Sequence, residues 1–499
     1  MAFHFQKTSC SCLAKVLERV QNMEQTHEIR IPSGMPGIAR VVSAWGQPVM
    51  RSKEWHGSSI SLSAGMLVWV LYISEEGDKP QCVNAWIPFQ IHWDLPELCP
   101  DGKVRILCIP RYVDARSVSA GKILVRAGVA ALAEAWCGQE KEIYCPQDVP
   151  EGVELLQSVY PLRLPKEAGE KQFVLEEELS LPASAPVPKK LVYYRLEPSV
   201  YDQKVMANKV VFRGNGNLHV LYESGEGQLH TWDFELPWSQ FADLEASYSQ
   251  EAQADVRLMP TNVELDTDET GKFHLKCSLV AQYLVDDREM VELTEDAYSP
   301  GRELTLQQEQ LELPSVLDNR RELLTVEQTI PGDSDLVVDT VLLPDFPQQY
   351  RTEDAVRLTM PGMLQLLYYG VDGSVQSATS RWEGTLTIPA DESGKMMALP
   401  QMASEVHAHA GADAITVQGE VPVHLQFSGG TGLPMVTGIE LGEVVPPDPG
   451  RPSLVIRRAE GTSLWHIAKK SGSTVDSIRR ANGLTGDALP GQMLLIPVK

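Results

Sequence analysis

Apolar and polar residues alternate with period two in three segments that read as one strand written three times: GMLVWVLY from Gly65, GNLHVLYES from Gly216 and GMLQLLYYG from Gly362. Each contains Leu-Tyr (Leu71-Tyr72, Leu221-Tyr222, Leu367-Tyr368). One face is apolar throughout: Val68, Val70 and Tyr72; Leu218, Val220 and Tyr222; Leu364, Leu366 and Tyr368. The other carries Trp69, His219 and Gln365. A constant apolar face with period two predicts a half-buried strand.

Two further landmarks keep step with it. Upstream, EIRIP, ELSLP and EQTIP end at Pro32, Pro182 and Pro331, which lie 39, 39 and 36 residues before the Leu of Leu-Tyr. Downstream, ILVRAGV, FHLKCSL and ITVQGEV begin at Ile123, Phe273 and Ile415, which lie 52, 52 and 48 residues after it. Short strand-like runs separated by turns such as Gly214-Asn215-Gly216 and Asp372-Gly373 point to sandwich or barrel domains, not alternating βαβ units. The spacing predicts three homologous β-domains at 25–165, 168–315 and 320–443. Residues 1–24 read as a helical segment, because Leu13, Val16, Leu17 and Val20 line one helical face within Ser11–Met23.

Val444 to Pro452, VVPPDPGRP, reads as a stiff linker. Beyond it, 453–498 predict β-α-α-β. A strand begins at Leu454, and a helix capped by Thr462 or Ser463 carries Leu464, Ile467 and Ala468 inward to a stop at Gly472. A second helix from Ser473 or Thr474 ends at Asn482-Gly483, and a strand follows from Met493.

This order and these residues resemble a LysM domain: Gly461, Leu464, Trp465, Ile467, Ala468, Gly472, Thr474, Ile478, Asn482, Leu484, Pro490-Gly491-Gln492, Leu494, Ile496 and Pro497 match the family pattern. Thr462 stands where the family usually has Asp, and Val455 where an aromatic often begins the first strand. The resemblance implies a shallow groove for N-acetyl sugars between two loops, here Gly461, Thr462, Ser463 and Leu464 with Ile467 beneath, and Asn482, Gly483, Leu484 and Thr485. The loss of the Asp leaves protein docking beside glycan binding as a role for this surface.

Composition narrows the partners. The 499-residue chain carries a net charge of −24, but residues 451–499 hold eight Lys/Arg against three Asp/Glu, a local net of +5. An acidic body argues against nucleic acid or anionic lipid as its main partner. Arg457, Arg458, Lys469, Lys470, Arg479 and Arg480 give the tail module a basic surface that suits an acidic protein patch. Eight cysteines without a zinc spacing read as reduced thiols of a cytosolic protein. No secretory leader and no transmembrane segment are predicted.

Candidate chemistry is thin. DTDETG at 266–271 lacks calcium-loop spacing and reads as a hairpin turn, and His407-Ala408-His409 lacks a third ligand. No metal, cofactor or catalytic residue is predicted, and the chain reads as a non-enzyme. A wall hydrolase targeted by its tail module is the rival enzyme reading; no catalytic constellation supports it.

Three such β-repeats followed by a LysM resemble, as a whole, the SPOCS-domain spore morphogenesis proteins of the SipL type, functional relatives of the stage VI sporulation protein D of bacilli. The resemblance implies a scaffold of the mother-cell cytoplasm, recruited to the forespore surface to anchor the spore coat. Its LysM is implied to bind the coat-basement morphogenetic ATPase of stage IV sporulation. The alternative is a cell-wall or cortex protein that binds peptidoglycan or a chitin-like glycan.

Overall fold

The computed structural model describes residues 4–334, 336–389, 394–403, 405–411, 413–446, 450, 452–459, 461, 463–487 and 489–498, with Asp78 and Thr431 described for backbone only. The first repeat is β1 (His4–Arg30), β2 (Ile38–Trp55), β3 (Ser59–Ser74), β4 (Gly77–Asp94), β5 (Lys103–Ser119) and β6 (Lys122–Gln147). The second is β7 (Glu154–Leu179), β8 (Pro188–Met206), β9 (Lys209–Ser224), β10 (Leu229–Asp243), β11 (Gln253–Thr267) and β12 (Phe273–Tyr298). The third is β13 (Arg302–Pro331), β14 (Leu336–Pro344), β15 (Gln348–Arg351), β16 (Ala355–Tyr369), β17 (Val375–Pro389), β18 (Lys395–Pro400), β19 (Val406–Ala410) and β20 (Ala414–Val444). There, two strands are each interrupted: β14 and β15 share one side of β16, and β18 and β19 share one side of β20. Pro344 and Pro347 flank the first break, consistent with proline's missing N–H.

Each repeat is a sandwich of a meander on a second small sheet. In the first, the orders are β2-β3-β4 and β1-β6-β5, and the other repeats follow suit. The Leu-Tyr strand is the middle of each meander, and the upstream and downstream landmarks pair with each other: Ile29↔Ile123, Leu179↔Phe273 and Ile330↔Ile415. The constant apolar faces fill three separate cores, with Tyr72, Tyr222 and Tyr368 buried. Each meander also seats a Trp against a middle-strand glycine. A Cβ would come within 2.2 Å of Trp86 at Gly65, 2.0 Å of Trp238 at Gly214 and 2.2 Å of Trp382 at Gly362, so these positions admit no side chain.

Three expectations are corrected. Ser11–Met23 is not helical; it lies within β1, antiparallel to β6. A bulge between Lys15 and Leu17 shifts the alternation by one residue there, which turns a two-residue period into spacings of three and four and imitates a helix. Because β1 belongs to the first sandwich and Glu154 already opens β7, the repeat units begin upstream of the expected boundaries. Finally, the cysteines are not all thiols: Cys99, between β4 and β5, forms a disulfide with Cys137 of β6 across 38 residues. Cysteine spacing therefore does not argue for a reducing compartment.

The meander strands are buried on both faces. Leu71, Leu221 and Leu367 turn away from their own cores into one shared cluster, joined by Val42, Trp45, Trp69, Val192, Tyr193, Val341 and Leu343. Equivalent bonds run around this cluster. The residue paired with each of these leucines is Cys82, Thr231 or Ser377, and each donates to the carbonyl of a bulged valine in the next repeat. Cys82 Sγ meets Val192 O at 3.0 Å, Thr231 Oγ1 meets Val338 O at 3.2 Å, and Ser377 Oγ meets Val42 O. The cycle runs first to second, second to third, third to first, so the three meanders form a closed ring with approximate three-fold symmetry.

Charged residues cross the same boundaries. Arg105 reaches Glu134 at 2.9 Å and Asp255 of the second repeat at 2.7 Å. Arg257 also pairs with Glu134 and donates to Gln426 of the third repeat at 2.6 Å. Burial alone would raise the Glu134 pKa, but the Arg257 and Arg105 charges more than offset it and hold the carboxyl at about 2. Beyond the sandwiches, the pairs β1–β6, β7–β12 and β13–β20 continue as three ribbons. These pack Cys10, Cys12, Leu162, Leu164, Val291, Leu311, Leu313 and Leu433 into a further core, the stalk. Cys10-Ser-Cys12 thus belongs to apolar packing, and burial pushes the Cys10 thiol up to about 12.

Candidate functional site: the C-terminal module

The tail module forms as its caps dictate. β21 (Leu454–Arg458) pairs with β22 (Met493–Pro497), and between them lie α1 (Leu464–Ser471) and α2 (Val475–Asn482). Gly472 and Gly483 end the helices in the left-handed region, at φ 60° and 63°, where glycine has no steric cost. Thr474 Oγ1 caps α2 by accepting from Ser477 N at 3.1 Å. Ser463 occupies the α1 cap position but makes no capping bond; its Oγ lies 2.7 Å from His466 Nδ1. Leu464, Ile467, Ala468, Ile478, Leu494 and Ile496 form the module's core.

A residue just beyond the second expected groove loop reaches the first. Leu464 N donates to Asp487 Oδ1 at 3.5 Å, so a carboxylate from the loop after α2 reaches the start of α1. Sequence reasoning missed Asp487, which lies beyond the expected groove loops. Gly461, Gly483 and Thr485 are exposed, Ser463 and Leu484 half-buried, and Leu464 and Ile467 buried; Thr462 lies outside the described residues. Asn482 is committed to the fold. Its Nδ2 donates to Leu495 O at 2.6 Å and Ile478 O at 2.8 Å, and its Oδ1 accepts from Leu495 N at 2.7 Å.

The six basic residues do not form one free surface. Lys469 Nζ binds Asp296 of β12 at 2.7 Å, and Arg458 Nε donates to Gly491 O at 3.3 Å within the module. Lys470 and Arg480 are exposed, Arg457 and Arg479 half-buried. The Lys469 contact belongs to a junction that no local sequence pattern signals. Trp465 lies edge-on to Tyr298 at 4.7 Å, its Nε1 donates to Asp296 Oδ2 at 3.0 Å, and Tyr298 OH donates to Ser473 O at 3.0 Å. The first helix thus docks on the end of the stalk. On the other side, Leu454, Ile456, Met493 and Leu495 turn outward, from 39% to 61% exposed. An aliphatic sheet face open to solvent is the pattern of a contact surface.

Elsewhere, Asp268 Oδ1 accepts from Thr270 N at 2.8 Å and Lys272 N at 3.0 Å, which makes DTDETG a hairpin turn. His407 and His409 lie exposed on β19. Among the described residues no helix is long and apolar enough to cross a membrane.

Comparison with known families adds two findings. Residues 189–267, which span β8 to β11, match the SipL, SPOCS domain family, and residues 459–497 match the LysM domain family. No curated protein and no solved structure matches the chain. Both families are non-catalytic binding domains, the first tied to sporulation and the second able to bind peptidoglycan. The chain is thus mainly β and carries a SPOCS domain of the SipL family in its second repeat and a LysM domain at 459–497.

Proposed function

We propose that the chain is a non-enzymatic scaffold of endospore formation. It works in the mother-cell cytoplasm and anchors the spore coat at the forespore surface. Its first and third repeats are further SPOCS domains, a reading supported by their shared strand order with the second. The LysM domain is the docking element for the coat-basement morphogenetic ATPase of stage IV sporulation. The observation that carries this is the outward aliphatic face of Leu454, Ile456, Met493 and Leu495, with Arg458 at its edge. Such a face suits an apolar protein stripe bordered by carboxylates better than a sugar, which needs convergent donors and acceptors.

The test is co-purification of the ATPase with the full chain and with a chain lacking 453–499. Capture by the full chain alone is expected; equal capture by both removes the LysM from the contact. Glycan binding is the second reading, favoured by the exposed Gly461 and Gly483 in loops that Asp487 draws together. Retention of the full chain on insoluble peptidoglycan, lost with Thr485 and Gly483 replaced by bulky residues, would establish it.

A further inference from the structure

The three junctions of the ring are built from equivalent residues, and one departs from the others. The first strand of each meander places one residue opposite the neighbour of the Leu-Tyr tyrosine: Arg40 opposite Ile73, Lys190 opposite Glu223, and Leu336 opposite Tyr369. Arg40 Nη2 crosses to Val375 O of the third repeat at 2.6 Å, and Lys190 Nζ crosses to Gln81 Oε1 of the first at 2.8 Å. These are latches over the outside of two junctions. Leu336 has no donor to offer and stands 56% exposed. Gln81 is matched by His230 in the second repeat, one residue before the inner bond donor in each case.

The unlatched junction, between the second and third repeats, holds a cleft of about 370 Å³. Its walls are Pro186, Tyr222, His230, Trp232, Leu336 and Val338. The floor is intact: Thr231 keeps its bond to Val338, and Leu229 N donates to Tyr369 OH at 2.9 Å. The cleft is therefore a feature of a well-formed junction, not a packing failure. Among the described residues no Lys, Arg, Asp or Glu lines it, in a chain of net charge −24. Pro186, the partly exposed Trp232 and His230, over the buried Tyr222, form the kind of wall that receives a polyproline II segment, whose conformation is already ordered before binding.

We infer that this cleft receives the Pro-rich segment Val444–Pro452 of a second copy of the chain. The segment has four prolines in nine residues, and Asp448 and Arg451 cancel, so it matches walls whose described residues carry no charged side chain. Val444 and Val445 are 61% and 47% exposed, leaving both side chains uncovered in their own molecule. Segment and cleft are different patches, so each chain offers one of each. Repetition of such a heterologous contact builds an open array. This self-association does not depend on what the LysM domain binds.

The experiment pairs sedimentation of the full chain over a concentration series with fluorescence anisotropy of a labelled synthetic Val444–Pro452 peptide. Concentration-dependent assembly and saturable peptide binding are expected. The double variant His230→Gln with Leu336→Lys writes the latched pair of the first junction into this one. It should weaken peptide binding by about tenfold or more, equivalent to about 1.4 kcal/mol, and return the chain to monomer. Trp232→Ala, at a partly exposed position, should weaken binding in the same way if the double variant misfolds. A monomer at all concentrations that ignores the peptide overturns the inference, and so does undiminished binding by a folded double variant or by Trp232→Ala.

Discussion

The boundaries between the repeats and the boundary between stalk and LysM domain are built on different scales. Between repeats, Leu71, Leu221 and Leu367 share one core, buried ion pairs cross from the first repeat to the second, and three side-chain-to-carbonyl bonds close a ring. Between stalk and LysM, the polar contacts seen among the described residues come from an indole, a lysine and a tyrosine hydroxyl. The difference implies that the repeats unfold together as one unit, whereas the LysM domain is a separately folded body held in one orientation by a small patch.

The largest effect should come from the buried charges. Glu134→Ala leaves two buried arginines, Arg105 and Arg257, with Asp255 as their one remaining shared carboxylate among the described residues. Removing one partner of a buried pair costs about 3–5 kcal/mol. The urea midpoint should fall accordingly, with all three repeats melting in one transition. A second transition would show that the ring does not couple them.

Next come the shared leucines. Leu71→Ala, Leu221→Ala and Leu367→Ala each open a cavity in the same cluster, at about 2–5 kcal/mol each. Three similar losses of global stability are expected. If each substitution instead loosened only its own repeat in amide exchange, the central cluster would be a contact among independent domains.

A smaller and more local effect should follow Asp296→Ala, which removes the acceptor for Trp465 and the partner of Lys469. Bonds to charged groups contribute about 1.5–3 kcal/mol. That is enough to release the LysM domain while its own core stays folded. Proteolysis within 444–452 should accelerate, with α1 and α2 still protected from exchange. Loss of protection in both helices would mean that the stalk is part of the LysM fold.

The difference in scale also governs what the sequence reveals. Alternation exposed the three meander strands because one face of each is apolar in every repeat. The LysM domain was legible because glycine caps and a turn recur at fixed spacing. The second face of the meander strands was not legible: His219 and Gln365 look solvent-facing, yet Gln365 donates to Ala44 O at 3.3 Å and His219 sits against Asp339. Polar residues whose partners lie across a repeat boundary carry no periodic signal. The bulge in β1 produced a false helical period. The groove loops could be placed, but Asp487, Asp296 and Tyr298 act through contacts between segments far apart in sequence, which no local pattern encodes.

The subtlest way to probe the repeat boundaries is through pH. His219 of the second repeat lies 2.8 Å from Asp233 and 3.2 Å from Asp339 of the third. Burial alone would lower its pKa, but the charge of Asp339 and the bond to Asp233 more than offset this and hold it at about 9, above its ordinary 6.5. Folding therefore favours the protonated ring. The stabilisation is complete below about pH 6.5 and is lost as the pH rises through about 9. His219→Gln should lower the urea midpoint at about pH 6, and the gap from the unmodified protein should narrow as the pH approaches and passes 9. A gap that stays constant over that range would mean that the imidazole holds the second and third repeats together by shape and hydrogen bonding, with its charge contributing nothing.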